Sequence, residues 1–105
     1  MVTSQLSADG QELTIGVKGR FDFRLYDSFR ETYVQRDGAV CSYAIDLAEV
    51  EYMDSSALGM LLLLREHAGG DAASIRLVGA TAQVRNVLDI ANFERLFTIV
   101  ANGAA

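Results

Sequence analysis

The chain has 105 residues, of which 50% are hydrophobic and 22% charged, and it contains no proline. This length and composition suit one buried core, and we expect a single domain over residues 1–105. Nine Lys and Arg residues against 14 Asp and Glu give a formal net charge of −5. That balance argues against a nucleic-acid partner, because phosphate binding needs a basic face. Cys41 is the only cysteine, which excludes an internal disulfide and a cysteine-cluster metal site.

No targeting or membrane signal is visible in the sequence. The N-terminus lacks a basic stretch followed by an apolar run, so we expect no signal peptide. The longest apolar run, Met60–Leu64, is far shorter than the roughly 20 residues that span a bilayer. We therefore expect no membrane insertion and a cytoplasmic location.

The first elements are predicted strands. Apolar and polar residues alternate from Leu13 to Val17, which predicts a strand with one buried face. Val2–Leu6 is a weaker candidate that would pair with this strand across the turn Ala8–Gly10. Gly19 is expected to close the unit.

A helix is predicted next, from about Leu25 to Gln35. Aromatic residues recur there at helical spacing, and Asp37-Gly38 is expected to end the helix. The mostly apolar segment Val40–Leu47 then predicts a central strand, with Asp46 as its polar exception.

The second helix has complete start and stop signals. Asp54 or Ser55 would cap its start, cationic residues lie in its last turn, and Gly69-Gly70 follows it. Its centre is apolar on all sides, so we expect Met60–Leu64 to be the best-buried helix segment, packed on the sheet.

The remaining elements complete an α/β pattern. Ile75–Val78 is a predicted strand, Thr81 caps a helix to about Ala91, and Leu96–Val100 is either a last strand or a docked tail. Alternating strands and helices imply parallel pairing with right-handed crossovers.

Enzyme chemistry is not indicated. His67 is the sole histidine, so any Ser-His-acid triad must use it. The second helix separates His67 from Ser55 and Ser56 by too great a length for a hydrogen bond. No G-x-S-x-G or phosphate-loop pattern occurs. A metal site would need carboxylates alone, and Asp22, Asp46 and Asp54 are candidates that could converge at strand ends, but turn and capping roles are favoured for each. We expect no catalytic residue, no metal and no cofactor.

The segment Asp54–Ser56 is a candidate modification site as well as a helix start. Asp54-Ser55-Ser56 precedes the buried helix, and a cap explains only one of these residues. A serine at a helix N-terminus can accept a phosphate, whose negative charge suits the helix dipole.

At these residues the chain resembles the anti-sigma-factor antagonists, which are single-domain members of the STAS superfamily. The resemblance lies in Tyr52–Leu61 with Ile45–Leu47 before it, in the turn Gly19–Asp22, and in the segments Ile75–Gly79 and Val84–Phe97. It implies a STAS-like fold, a small mixed β-sheet with helices packed against it.

The resemblance further implies a bacterial partner-switching regulator. Such proteins bind an anti-sigma factor that is usually a serine kinase; the kinase phosphorylates the antagonist and a serine phosphatase restores it. The phosphoacceptor position of the family falls on Ser55, with Ser56 as the second choice. The implied partner-binding residues are Asp22, Asp54, Ser55, Ser56 and Ala57.

Two positions depart from the family pattern, since Ala57 and Asn92 stand where glycine is commoner. Relatives in the superfamily also serve as accessory subunits of lipid-transport ATPases or as regulatory domains of anion transporters. A transporter accessory subunit is therefore the alternative function.

Overall fold

A mixed sheet organises the computed structural model, which describes residues 1–34 and 40–100. Within these residues five strands lie in sequence order across the sheet: β1 (Val2–Leu6), β2 (Glu12–Phe21), β3 (Ser42–Met53), β4 (Ile75–Val78) and β5 (Thr98–Val100). β1 runs antiparallel to β2, and the other neighbours pair in parallel. The predicted α/β fold with a small mixed sheet is confirmed. Of the two alternatives for Leu96–Val100, the last strand is the one found, as β5.

In the described ranges, three α-helices connect the parallel strands: α1 (Tyr26–Tyr33), α2 (Ser55–His67) and α3 (Ala82–Ile90). The same ranges contain three short 3-10 turns, at Phe23–Leu25, Gly70–Ala72 and Phe93–Arg95. The predicted end of the first helix at Gln35 and its terminator Asp37-Gly38 lie outside the described residues.

The helices and one face of the sheet share a single core. Alternate residues of β2 and the matching residues of β3 and β4 are fully buried, and each helix adds side chains to the same cluster: Leu13, Ile15, Ile45, Leu77, Phe29, Leu61, Leu64, Val84 and Leu88. The intervening strand residues include Glu12, Thr14 and Lys18 of β2, and on that face Arg76 of β4 pairs with Glu12. Helices therefore cover one face of the sheet, and in the described residues the other face carries most of the polar side chains.

β2 and β3 run further than the sequence predicts. Their pairing continues to Phe21 and Met53, beyond the predicted ends at Gly19 and Leu47, through two register shifts in which β3 carries the extra residues. Gly19 has φ of +83°, a conformation that glycine adopts without steric cost, and it lies at the second shift. A bulge interrupts the alternation of buried and exposed residues without ending the strand. The sequence pattern therefore predicted the ends of both strands too early.

The prediction that all of Met60–Leu64 is buried is wrong at two positions. Met60, Leu61 and Leu64 are buried, whereas Leu62 and Leu63 are 38% and 48% exposed. Successive residues on a helix are 100° apart, so consecutive leucines surround the axis. α2 packs against the sheet on one side, and two of its leucines face outward.

The backbone conformation of Asn92 explains why asparagine can replace the commoner glycine at this position. Its φ of +58° lies in the left-handed region, between α3 and the turn Phe93–Arg95. Glycine is the usual residue for this conformation, and asparagine is among the few others that tolerate it. The substitution therefore keeps the same turn.

Candidate functional site

The candidate site lies where β2 and β3 end. Phe21 and Met53 are register partners at the ends of these parallel strands. The next residues are Asp22 and Asp54, and each caps the helical segment that follows its strand. Because neighbouring strands are about 4.8 Å apart, the two loops begin side by side. The strand register thus places the start of the Asp22 segment beside the start of the segment Asp54–Ser56.

Asp54 is the N-cap of α2. Its backbone is extended, and its Oδ1 accepts hydrogen bonds from the N–H groups of Ser56 at 3.0 Å and Ala57 at 3.2 Å. The N–H of Ala57 is shared with the backbone carbonyl oxygen of Asp54, 3.1 Å away. The carboxylate satisfies donors that the first turn of a helix leaves without i−4 partners, and it complements the helix dipole. Of the two candidate caps, Asp54 rather than Ser55 fills the role.

The adjacent serines have different environments. Ser56 is half-buried and donates its hydroxyl to Oδ1 of Asp54 over 2.5 Å. Ser55 is the exposed first residue of α2, and no hydrogen bond of its hydroxyl is found in the described part of the chain. The Ser55 hydroxyl is therefore more accessible to another molecule than the Ser56 hydroxyl.

Ala57 has no exposed surface. Its predicted place in a partner-binding surface is wrong for direct contact, because its methyl group faces the core beneath the first turn of α2. A larger or smaller residue here would act on the packing of that turn.

Asp22 is held by arginines from its own segment. Its Oδ1 accepts from the backbone N–H of Arg24 at 3.1 Å and from Nε of Arg24 at 3.2 Å, and its Oδ2 lies 3.1 Å from Nη2 of the same residue. Nε of Arg20 lies 3.6 Å from Oδ2. The hydrogen bonds from Arg24, with the charges of both arginines, hold the pKa of the Asp22 carboxyl below its ordinary value.

Arg20 also bridges the two strands. Its guanidinium carbon lies 4.3 Å from the centre of the Tyr52 ring on β3, a cation–π contact. Tyr52 is two residues before Asp54, so a cation of β2 already reaches the end of β3. Sequence reasoning missed Arg20 and Arg24; the signal was an arginine two residues to either side of Asp22.

The other predicted chemical residues lie elsewhere. Asp46 pairs in register with Gly16 and Val78, and its Oδ1 accepts from the N–H of Ala48 at 3.0 Å. Met53 lies seven positions further along β3, roughly 20 Å away, so Asp46 does not converge with Asp22 and Asp54. Across residues 1–34 and 40–100, no three His, Cys, Asp or Glu side chains group to hold a metal ion.

His67 ends α2 at the far side from Ser55, about 18 Å away along the helix. Its ring lies 5.0 Å from that of the buried Tyr33. The distance supports the expectation that the histidine and the serines do not act together.

None of the helices in the described ranges is long and apolar enough to cross a membrane. The longest, α2, has 13 residues. This agrees with the short apolar runs of the sequence.

A mixed sheet with helices packed on one face is a small two-layer α/β domain. Sequence comparison identifies the family of this domain. The family model described as "Mlab, STAS domain" matches residues 4–100. A STAS-domain containing protein of Pseudomonas aeruginosa (strain UCBPP-PA14) is 52% identical over 98 residues, covering 93% of this chain and 97% of the relative. The chain belongs to the STAS domain family.

Solved structures share the fold. The anti-sigma factor antagonist SpoIIAA in its unphosphorylated form superposes with a TM-score of 0.81 at 17% identity, over 96% of this chain and 89% of that chain. The phosphorylated form of the Bacillus protein gives 0.74 at 16% identity, over 96% and 92%.

Two further structures extend the comparison. An antisigma-factor antagonist STAS domain from Rhodobacter sphaeroides is 31% identical with a TM-score of 0.58, over 80% of this chain and 94% of that chain. A sulfate transporter family protein from Wolinella succinogenes gives a TM-score of 0.71 at 13% identity, over 90% and 80%. The fold is thus shared by proteins described as anti-sigma factor antagonists and by a sulfate transporter family protein, so the fold alone does not assign a function.

Proposed function

We propose that this protein is an anti-sigma-factor antagonist that binds an anti-sigma factor with serine kinase activity and is released when Ser55 is phosphorylated. A serine phosphatase restores the binding form. The protein acts in the bacterial cytoplasm as a single domain over residues 1–105, and it catalyses no reaction of its own.

The observation that carries the proposal is the difference between the two serines. Ser55 is exposed at the first position of α2, whereas the hydroxyl of Ser56 is engaged by Asp54 at 2.5 Å. A kinase can reach the Ser55 hydroxyl without breaking the cap. The 31% identity to an antisigma-factor antagonist supports the same role.

Phosphorylation at Ser55 is chemically simple. The Ser55 oxygen attacks the γ-phosphorus of ATP, the bond from that phosphorus to the bridging oxygen breaks, and ADP leaves. The hydroxyl proton passes to a base of the kinase. The phosphatase transfers the phosphoryl group to water and regenerates the hydroxyl.

The phosphate acts by its charge and size. It adds a charge of about −1.5 to −2 at the N-terminus of α2, and the helix dipole compensates part of it, by about 0.3–1 kcal/mol. The fold therefore tolerates the group. A partner packed closely on Ser55 would have to bury an unpaired charge, which costs several kcal/mol.

Phosphosite mapping tests the site. The protein is purified from its native bacterium, with and without phosphatase treatment, and phosphopeptides are located by mass spectrometry. We expect one phosphate on Ser55, its loss in Ser55→Ala, and its retention in the matched variant Ser56→Ala. Modification only outside Ser55 and Ser56 would contradict the proposal.

Affinity capture tests the partner. Unphosphorylated protein is used as bait in native extract, and Ser55→Asp serves as the matched bait. Recovery of an anti-sigma kinase by the first bait alone supports the proposal. The alternative, an accessory subunit of a lipid- or anion-transport system, shares the fold, and recovery of a transport protein by both baits would favour it.

A further inference from the structure

We infer that Arg24, assisted by Arg20, is an internal receptor for a phosphate on Ser55, and that phosphorylation transfers Arg24 from Asp22 to the phosphate. The inference rests on the proposed phosphorylation of Ser55. It goes beyond that proposal in two respects. Residues outside the Ser55 loop bind the phosphate, and phosphorylation also frees the Asp22 carboxylate from the Arg24 side chain.

Position is the first argument. Phe21 and Met53 are register partners, so the segments that start at Asp22 and Asp54 leave the sheet side by side. Arg24 lies two residues after Asp22, and Ser55 lies one residue after Asp54. Arg20, two residues before Asp22 on β2, contacts the Tyr52 ring, so the side chain of an arginine on β2 already reaches the end of β3.

Charge is the second argument. The charged groups at this end of β2 and β3 include the guanidinium groups of Arg20 and Arg24 and the carboxylates of Asp22, Glu51 and Asp54. In the described part of the chain both arginines form their ion pair with Asp22. Two guanidinium groups therefore share one carboxylate, and Arg24 can bind a second anion on the neighbouring segment.

Accessibility and bond strength are the third argument. The side chain of Arg24 is 73% exposed, and that of Asp22 is 14% exposed. The arginine can therefore turn without disturbing packing, whereas the aspartate stays in place as the cap of the turn Phe23–Leu25. A phosphate offers three strong acceptor oxygens and about twice the charge of a carboxylate, and a guanidinium binds such a group in bidentate fashion.

The consequence is a swap of partners for Arg24. Before phosphorylation, the surface at Ser55 has a neutral hydroxyl and a neutralised carboxylate. Afterwards it has a phosphate bound to arginine and an Asp22 that keeps the backbone N–H of Arg24 and the more distant guanidinium of Arg20, which is 3.6 Å away. A partner fitted to the first surface meets two changes instead of one.

A titration by phosphorus NMR tests the receptor. Full-length protein with phosphoserine inserted genetically at position 55 is compared with the same protein carrying Arg24→Gln, and with Arg85→Gln on α3 as the matched control. The second pKa of phosphoserine is ordinarily about 6. We expect it to be about one unit lower in the parent and in Arg85→Gln, and to return most of the way toward 6 in Arg24→Gln.

Arg24→Lys separates geometry from charge, and it should give an intermediate value because lysine cannot form the bidentate contact. Equal phosphate pKa values in the parent and in Arg24→Gln would overturn the inference. A carbon NMR titration of Asp22 provides the second readout, since its depressed pKa should rise toward the ordinary value in the phosphorylated protein. An unchanged Asp22 would also overturn the swap.

These measurements are independent of the proposed function. Phosphoserine is placed genetically, so the receptor can be found even if native protein carries no phosphate on Ser55. Conversely, mapping can find phosphate on Ser55 while the titration finds no role for Arg24. Circular dichroism on each variant confirms that it is folded.

Discussion

Phe21 and Met53 lie side by side as the last residues of two parallel strands. The residue after each is an aspartate with an extended backbone, and each aspartate accepts hydrogen bonds from the helical segment that follows. The same local device thus occurs twice at one end of the sheet. Two neighbouring strands therefore lead into the two segments of the proposed switch, one with Arg24 and the other with the exposed Ser55.

The charge at position 55 should control partner binding. We expect Ser55→Ala to bind the captured anti-sigma partner as the unphosphorylated protein does, and Ser55→Asp to bind about tenfold or more weakly, because an unpaired charge must be buried. Calorimetric titration measures both affinities. Thermal melts serve as controls, and equal binding by two folded variants would mean that charge at Ser55 does not operate the switch.

Removal of the α2 cap should weaken the fold measurably. Asp54→Ala leaves the N–H groups of Ser56 and Ala57 without the carboxylate, and we expect a loss of about 0.5–2 kcal/mol in the free energy of unfolding. Asp54→Asn is the matched control, since asparagine also caps helices. Urea denaturation measures both, and a loss in the asparagine variant as large as in the alanine variant would show that capping is not the cause.

The two sides of α2 should respond differently to truncation. Leu61 is completely buried and Leu63 is 48% exposed. We expect Leu61→Ala to cost about 2–5 kcal/mol, through lost burial and the cavity left behind. Leu63→Ala should cost less than about 1 kcal/mol, because much of its side chain is already in water and alanine favours the helix. Chemical denaturation of both variants checks this, and equal costs would contradict the outward position of Leu63.

The contacts of Asp22 should make stability depend on pH at the acid end. Hydrogen bonds from Arg24 lower the pKa of Asp22 in the folded protein below its ordinary value of 3.8. A carboxyl whose pKa is lowered by folding stabilises the protein above the unfolded pKa and loses this contribution as pH falls through the folded pKa. The parent should therefore exceed Asp22→Asn in stability near neutral pH, and the difference should shrink below about pH 4.

Urea denaturation of the parent and of Asp22→Asn between pH 7 and pH 3 measures that difference. Asp89→Asn is the control, because Asp89 pairs with Arg85 on the exposed side of α3. A difference for Asp22 that stayed constant down to the lowest pH would contradict the ion-paired carboxylate.

Much of the fold was predictable because its signals are local. The alternation at Leu13–Val17 marks a strand whichever partner it has, and Asp54 before an apolar run marks a helix start. Thr81 likewise accepts from the N–H of Val84 at the start of α3, as predicted. Each of these patterns depends on residues within a few positions, so the sequence contains the whole physical cause.

The sequence by itself therefore determined the order of strands and helices, the caps, and the candidate segment Asp54–Ser56. Only the tertiary structure decided that β2 and β3 pair on to Phe21 and Met53, that Leu63 faces outward, and that Arg20 contacts the Tyr52 ring of the neighbouring strand. These features depend on which distant segments lie against each other. A strand continues past a bulge because its neighbour supplies hydrogen bonds, and a helix has an outer face because the sheet covers only one side.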